Sequence, residues 1–364
     1  MAKLTLHIGL GKTGTTSIQD FFSANRSELL RQGVLYPNFS NSPNHHALVT
    51  AFEHNPKALP RAFHRYDQGT IQQLGNQILQ LLTDQIKKHR ADDWILSTEY
   101  FIHITNHETV SSIHRYFSRF FDEIEVICFV REPVGYYASL AQQHLQGNTS
   151  FPGPDSFKMN VRDVLELWSK YFKVSVYAHT LEKDSVATLS SHLRLDTRGW
   201  FRPAQNNVSL STEQIYLLCD LQRHLNSPED NLFTSQNDQY KTLVATILMN
   251  PPPATFSHKP EIIKSVRTLI WSNHRADFDW INKTFGTTFD IPKQNLRPST
   301  EAKTLSGDFK SFTSIFVTDL DSIALYKAFI FDYFLSKMLN GPEGNTSQNR
   351  VQPPIDSIKQ AHVA

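Results

Sequence analysis

A segment rich in glycine and threonine near the start of the chain has the residue types that hold phosphate and sulfate groups. It covers residues 9–16 and reads GLGKTGTT. Glycines allow the tight turns in which several backbone N–H groups converge on an anion, and Lys12 adds a positive charge. Residues 3–8 predict a short strand before it, and apolar residues at helical spacing predict a helix over 17–30. A strand, a turn and a helix N-terminus in this order predict an anion-binding loop.

The order of residues in this loop indicates which kind of anion it binds. A Walker A loop, which binds nucleoside triphosphates, reads GxxxxGK followed by serine or threonine. Gly9, Gly14 and Thr16 keep that spacing, but Thr15 occupies the lysine position and the lysine has moved into the loop as Lys12. The lysine that would reach the terminal phosphates is missing from its usual position. The loop therefore favours a shorter anionic group.

A second candidate anion site follows a buried strand further along the chain. Residues 125–130 form an apolar run typical of a buried parallel strand, and Arg131 follows it directly. Ser139 comes eight residues later, in a helix predicted to begin near Pro133. An arginine at the carboxyl end of a parallel strand is well placed to bind a phosphate with two hydrogen bonds. The alternative is that Arg131 forms an ion pair with Glu132 or another carboxylate.

Together the two motifs resemble those of the sulfotransferases that use 3′-phosphoadenosine 5′-phosphosulfate (PAPS) as the sulfuryl donor. Residues 12–16 with Gln19 resemble the 5′-phosphosulfate loop, and Arg131 with Ser139 resembles the motif that holds the 3′-phosphate. The resemblance implies a P-loop NTPase-like, three-layer α/β/α fold with a central parallel sheet and extra C-terminal helices. It also implies 3′-phosphoadenosine 5′-phosphate (PAP) as the product, no metal, and donor binding through a set of loop and strand-end residues: Gly11, Lys12, Thr13, Gly14, Thr15, Thr16, Arg131 and Ser139.

Catalytic roles follow from the needs of sulfuryl transfer. Lys12 is expected to stabilise the leaving oxygen, while the loop threonines add hydroxyl and N–H donors. The acceptor hydroxyl must lose a proton, so the reaction needs a nearby base. His45 and His46 follow the first helix in a pattern that resembles bacterial sulfotransferases, and Glu99 follows the strand at 93–97. We expect His46 to be the base with Glu99 assisting. Three alternatives remain. Glu99 is the base and His46 assists it, His45 is the active histidine in place of His46, or these residues have purely structural roles.

The overall composition is that of a globular protein. Of the 364 residues, 40% are hydrophobic, a typical globular value. The net charge is only +1, so the sequence has no excess of basic residues that would indicate a nucleic-acid partner. The two cysteines indicate no disulfide framework, and no apolar run is long enough to span a membrane. Because the first strand begins at residue 3, no leader or anchor is visible. We therefore expect a cytoplasmic, bacterial-type enzyme that acts on a saccharide or glycolipid hydroxyl, with steroid, phenol and tyrosine acceptors as alternatives.

Strands and helices are predicted to alternate along most of the chain. Further strands are expected at 93–97, 125–130 and 174–178, and helices at 70–90, 109–120, 161–171, 185–194, 211–225, 261–290 and 312–339. This alternation predicts a parallel sheet with helices on both faces. We expect one sulfotransferase domain over residues 1–340, with a loop or lid at 226–260, and a disordered tail at 341–364.

The C-terminal part departs from the pattern of the cytosolic sulfotransferases, which close over the nucleotide with an RKG segment. This sequence has no such segment, and other basic residues, such as Lys259, Lys264 and Arg297, are the candidates for that contact. Residues 206–211 either approach the nucleotide or cap the helix that begins near Ser211. The sequence therefore indicates which donor binds but not how tightly it binds.

Two other classes of protein remain as alternatives. A nucleotide kinase or NTPase with a degenerate P-loop would share the loop, although Thr15 replaces the lysine and only Glu99 stands where a second acidic motif is expected. Magnesium dependence would favour that class. An inactive module that binds nucleotides or glycans would share the donor site without turnover.

Overall fold

Five strands form one parallel sheet in the described part of the chain. The computed structural model describes residues 2–38, 42–55, 58–89, 91–147, 151–180, 183–204, 209–225, 238–292, 300–305 and 312–340. The strands are β1 (Lys3–His7), β2 (Val34–Leu35), β3 (Asp93–Ser97), β4 (Glu123–Arg131) and β5 (Lys173–His179). Their order is β2-β3-β1-β4-β5, and every neighbouring pair is parallel. The α/β class with a parallel sheet, which the sequence predicts, is confirmed.

Helices connect the strands and continue beyond the sheet. Those of the first part are α1 (Thr15–Ala24), α2 (Arg26–Arg31), α3 (Gln68–Lys88), α4 (His107–Phe117), α5 (Pro133–Gly147), α6 (Val161–Ser169) and α7 (Ser185–His192). Those of the C-terminal part, after α7, are α8 (Thr212–Leu225), α9 (Asp238–Met249), α10 (Lys264–Phe285), α11 (Thr300–Lys303), α12 (Phe312–Ile315) and α13 (Leu320–Asn340). Among the described helices, none combines the length and the apolar character needed to cross a membrane.

The sheet has an apolar core on each face because side chains alternate in direction along every strand. On one face, Ile127 and Phe129 of β4 join residues of α1, α2 and α7. On the other face, Val126 and Val130 join residues of α3, α4, α5 and α6. Helices therefore cover both faces, an arrangement compatible with a three-layer α/β/α fold.

The carboxyl ends of β1 and β4 lie side by side where the chain connections diverge. The chain passes from β1 to α1 on one face of the sheet and from β4 to α5 on the other. Backbone hydrogen bonds to β4 continue past the end of β1, since Leu10 N donates to Phe129 O at 2.9 Å and Phe129 N donates to Gly9 O at 3.1 Å. In open parallel sheets such a crevice is where ligands bind. Both predicted anion motifs reach this crevice.

The helix expected over 17–30 is two helices, α1 and α2, so that prediction was wrong in its extent. The side-chain amide of Asn25, between them, donates to the backbone oxygens of Phe21 at 2.7 Å and Phe201 at 2.8 Å. Asparagine side chains that bond to the backbone compete with the helical hydrogen-bond pattern. The interruption lets Asn25 tie the end of α1 to the segment that follows α7.

Within residues 226–260, which the sequence predicts as a loop or lid, the structure has the helix α9 (Asp238–Met249). Val244 and Ile247 of this helix are buried against the C-terminal helices. The expected tail at 341–364 lies outside the described residues, and the division into one domain and a tail stays a prediction.

Candidate functional site

The backbone of the glycine-rich loop turns through the left-handed region at three residues. Gly9, Lys12 and Gly14 have φ angles of 92°, 64° and 84°. Lysine rarely adopts such an angle, and residues held in this way cluster at binding sites. Residue 14 has to be glycine, because a Cβ there would lie 2.9 Å from the Ser185 Oγ. The loop is therefore held in one conformation by its neighbours.

Two of the three loop threonines stabilise the loop instead of facing a ligand. Thr13 and Thr15 are buried, and both hydroxyls donate to the Leu10 carbonyl oxygen, at 3.2 Å in the case of Thr15. The Thr13 and Thr15 hydroxyls are therefore bonded within the loop, and donor binding by the loop threonines stays a prediction. Buried hydroxyl groups have to find a partner inside the protein, and the Leu10 carbonyl is within reach. Thr16 is exposed, so its hydroxyl faces solvent.

Helix α1 begins at this loop with its first N–H groups uncapped. Its N-cap residue is Gly14, which has no side chain to accept a hydrogen bond, and its first turn holds no acidic residue. The opening N–H groups and the helix dipole therefore create a positive potential at the crevice. Gln19 fixes the helix against β3, since its Nε2 donates to the Ser97 Oγ at 3.2 Å. An anion is the partner that such a helix end favours.

Arg131 lies at the carboxyl end of β4 and has no ion-pair partner in the part of the chain that the structure describes. Glu132, the partner in the alternative interpretation, instead caps α5: it accepts the N–H groups of Val134, at 2.9 Å, and Gly135. Burial lowers the pKa of the Arg131 guanidinium, and the Glu132 charge opposes that shift. A half-buried guanidinium that has no ion-pair partner among the described residues favours a bound anion.

The Arg131 guanidinium packs over Gly135 in the first turn of α5. A Cβ at residue 135 would lie 3.0 Å from the Arg131 Nε and 3.2 Å from its Nη2. Ser139 follows one turn later on the same face of the helix and is half-buried. The expected pair of Arg131 and Ser139 is therefore brought to one surface.

Lys12 and Glu99 lie close together across the loop. A Cβ at Gly11 would lie 3.6 Å from the Glu99 Oε2, and one at Gly9 would lie 3.0 Å from the Glu99 Cβ. Lys12 is accessible to solvent, yet burial by the surrounding protein lowers its pKa, Glu99 raises it and Arg131 lowers it. Burial raises the pKa of the Glu99 carboxyl, and Lys12 opposes that shift. Two cations and one carboxyl therefore converge at the crevice.

His45 is held by backbone groups at both ring nitrogens. Its Nδ1 accepts the Ser97 N–H at 2.9 Å, and its Nε2 donates to the Pro37 carbonyl oxygen at 2.9 Å. The ring is buried, and burial lowers its pKa to about 3. With both nitrogens occupied, His45 has no free position for a proton from a substrate, so the geometry disfavours it as the base.

His46 has one nitrogen bound and packs beside the crevice. Its Nδ1 lies 3.1 Å from the Thr98 Oγ1, and its ring meets that of Tyr100 edge-on, with centroids 4.8 Å apart. Burial lowers the pKa of His46 to about 3, and His45 adds to the effect. His46 is therefore neutral at ordinary pH and a weak base. Its contact with Thr98 links it to the residue before Glu99.

His179 and Ser185 are two site residues that sequence reasoning missed. The Ser185 hydroxyl donates to the Thr13 carbonyl oxygen at 2.8 Å, and the His179 Nδ1 lies 3.0 Å from the Ser185 Oγ. His179 is the last residue of β5 and pairs with Arg131 in the parallel ladder. The available signal was its position directly after the strand predicted at 174–178, which is the criterion that selected Arg131.

The C-terminal candidates contribute less to this site. Ser211 caps α8 in a reciprocal pair, since its Oγ accepts the Gln214 N–H and the Gln214 Oε1 accepts the Ser211 N–H, both at 3.1 Å. The cap interpretation of residues 206–211 is therefore confirmed for Ser211. Residues 206 and 207 and Arg297 lie outside the described residues. Lys264 is the first residue of α10.

The assembled site can bind an anionic group and move a proton beside it. Lys12, Arg131 and the start of α1 supply positive charge and N–H donors, and Glu99 supplies a carboxyl with a raised pKa. In comparisons with known proteins, no family model and no curated protein matches the chain. The functional conclusion therefore depends on the arrangement of these side chains.

Proposed function

We propose that the protein is a sulfotransferase that moves a sulfuryl group from PAPS to an acceptor hydroxyl. One observation carries the proposal: Lys12 and Arg131, two cations without ion-pair partners among the described residues, meet beside the uncapped start of α1. The donor carries negative groups at the 3′ and 5′ positions of its ribose, and these two cations match that pair of groups. In this assignment the loop holds the 5′-phosphosulfate, while Arg131 and Ser139 hold the 3′-phosphate.

The chemistry is an in-line transfer that needs positioned charge more than covalent help. The bond from sulfur to the bridging oxygen of the 5′-phosphate breaks, and a new bond forms between sulfur and the acceptor oxygen. Lys12 stabilises the negative charge that develops on the leaving PAP. The acceptor proton passes to a base of the site, so that charge and atoms balance. No step requires a metal ion.

Glu99 is the better candidate for that base, which reverses the preference drawn from the sequence. Its carboxyl lies beside the loop that carries Lys12, and burial raises its pKa toward the working range. His46 has a pKa of about 3 and is therefore a poor proton acceptor. We assign His46 the role of orienting the acceptor, with its Nδ1 held by Thr98.

The acceptor is proposed to be a saccharide or glycolipid hydroxyl. Tyr100 follows Glu99 directly, and burial together with the charge of Glu99 raises the pKa of Tyr136 to about 12, so two tyrosines belong to the surroundings of the carboxyl. Aromatic rings with a polar end pack well against sugar faces and bond to sugar hydroxyls. This arrangement supports a polyhydroxylated acceptor over a flat, apolar one.

The test is an acceptor screen with PAPS labelled in its sulfuryl group. Purified protein is incubated in EDTA with a panel of glycosides, oligosaccharides and a phenol, and labelled products are separated from the donor. We expect transfer to at least one saccharide by the wild type and none by Lys12→Ala. Lys87→Ala, which changes an exposed lysine in the last turn of α3, is the matched control and should behave as wild type. Transfer only in the presence of magnesium and ATP would contradict the proposal.

A further inference from the structure

His179 lies where the predicted 3′- and 5′-phosphate sites meet. It pairs with Arg131 in the ladder between β4 and β5, and paired residues of a parallel ladder point to the same face of the sheet. Its ring also reaches the loop: a Cβ at Gly14 would lie 4.0 Å from the His179 Cε1. Cε1 is the carbon between the two ring nitrogens. The histidine is therefore adjacent to both anion-binding elements without being part of either motif.

The hydrogen bonds around His179 determine which nitrogen carries the proton. The Ser185 hydroxyl donates its only hydrogen to the Thr13 carbonyl oxygen at 2.8 Å. The His179 Nδ1, which lies 3.0 Å from the Ser185 Oγ, must then donate to that hydroxyl oxygen. Nδ1 is thus protonated in the neutral ring, and Nε2 is the nitrogen that can accept a further proton. Protonation at Nε2 would leave the bond to Ser185 intact.

We propose that His179 is a third cationic group of the donor site, which takes up a proton at Nε2 when a nucleotide with both 3′- and 5′-phosphates binds. The inference rests on the proposed function and extends it to a residue outside both motifs. In the empty site the ring stays neutral beside Arg131. A bound bisphosphate supplies the negative charge that the imidazolium needs. The same residue then reports, through its charge, whether the donor site is occupied.

The charges around His179 support this behaviour. Burial lowers its pKa to about 4, and the positive charge of Arg131 adds to that effect. Asp184, which precedes Ser185 at the start of α7, is paired with Arg202 at 2.7 Å and is therefore already compensated. Lys12, in the loop, is a further cation of the site. An opposite charge close to a titrating group favours its charged form, so a bound phosphate would raise the pKa of His179 from this lowered value.

The experiment is calorimetric titration of the full-length protein with PAP at about pH 6, in two buffers with low and high ionisation enthalpy. The difference in observed enthalpy gives the number of protons taken up. The key variant is His179→Asn, because an asparagine amide can replace Nδ1 as donor to Ser185 but cannot become charged. His107→Asn, in the exposed first turn of α4, is the matched control. Titration of the phosphates themselves is the same in all variants and cancels in the comparison.

We expect the wild type and His107→Asn to take up more protons than His179→Asn. Between about pH 7.5 and pH 5, PAP affinity should rise on the order of ten-fold more in the wild type than in His179→Asn. As an independent readout, the Cε1 proton resonance of His179 should titrate at higher pH when PAP is present. Equal proton uptake and parallel pH dependence in the wild type and His179→Asn would overturn the inference while leaving the donor site intact. Failure of PAP to bind any of the proteins would overturn the proposed function together with it.

Discussion

Replacing Gly135 by alanine should disable the 3′-phosphate site while leaving the fold intact. Gly135 lies in the first turn of α5 beneath the Arg131 guanidinium. A Cβ there would lie 2.3 Å from the Glu132 Oε1, 3.0 Å from the Arg131 Nε and 3.2 Å from its Nη2. The first distance is far below van der Waals contact. Glu132 has to leave its position at the helix N-terminus, and the Arg131 guanidinium has to shift by a few tenths of an ångström from its place over the helix.

The substitution should change the affinity for PAP more than it changes the stability of the fold. A charge-assisted contact between Arg131 and the 3′-phosphate contributes about 1.5–3 kcal/mol, so its loss should raise the Kd for PAP by about ten- to a hundred-fold. Losing the Glu132 cap costs about 1 kcal/mol of stability, and alanine regains about 1 kcal/mol over glycine as a helix former. The free energy of unfolding should therefore change by less than about 1 kcal/mol.

Calorimetry with PAP and with adenosine 5′-monophosphate, together with urea unfolding, measures both effects. The Kd for the monophosphate should stay within about two-fold, since it has no 3′-phosphate for Arg131 to bind. Gly69→Ala is the matched control: it lies in the first turn of α3, where a Cβ would lie 3.2 Å from the capping Asp67 Oδ1. It should leave both affinities unchanged. If Gly135→Ala bound PAP as tightly as the wild type, the assignment of Arg131 would be refuted.

Three further predictions concern catalysis and stability. Lys12→Ala should lower kcat by about a hundred- to a thousand-fold, with a smaller change in the Kd for PAP, because Lys12 acts on the leaving oxygen; equal kcat in steady-state assays would refute that role. Burial raises the pKa of Glu99, and a base works when deprotonated, so kcat/KM should fall as pH drops through a value above 4.5. Glu99→Gln should remove this dependence together with most of the activity, whereas a limb near pH 3 would favour His46. Burial opposes ionisation of Glu125, but hydrogen bonds from Ser175 at 2.7 Å and Lys3 at 3.1 Å outweigh it and lower the pKa of Glu125 to about 2. Its contribution to stability is therefore present above 4.5 and lost as pH falls toward 2. Glu125→Gln should cost about 1–2 kcal/mol in urea unfolding at neutral pH, after discounting for the solvent-screened lysines, and a variant as stable as wild type would contradict this.

The backbone of the site was predictable because it depends on local patterns. Residues 125–130 and 93–97 are short apolar runs, and such runs alternating with helical periodicity favour a parallel sheet. Parallel strands bring their carboxyl ends to one edge, so the residues that follow them must meet there. The location of Lys12, Arg131 and Glu99 at one edge of the sheet therefore follows from the sequence pattern.

The directions of the side chains were not predictable, because they depend on partners that are distant in sequence. In the sequence, Thr13 and Thr15 have the hydroxyl groups expected of ligand-binding residues, but in the structure both hydroxyls donate to the Leu10 carbonyl oxygen. His45 and His46 are adjacent and identical in type, yet only His45 is held by backbone groups at both nitrogens. Pairing of this kind is set by the tertiary fold.

His179 was missed for a similar reason. Its neighbours in sequence suggest only a strand end, and its partners Ser185 and Thr13 come from two other segments of the chain. The position of a histidine after a strand was visible, but its contact with the loop was not. Strand-end residues of the polar and titratable types therefore merit equal attention when a site is sought from sequence.

Calorimetric titration with PAP in EDTA, with ATP and magnesium as the comparison, tests the central claim most directly. The proposed donor site predicts binding that needs no metal and that weakens by about ten-fold or more when the 3′-phosphate is absent, because Arg131 then loses its partner. Binding of ATP with magnesium, and not of PAP, would contradict the sulfotransferase assignment and favour a kinase or NTPase with Glu99 beside the metal.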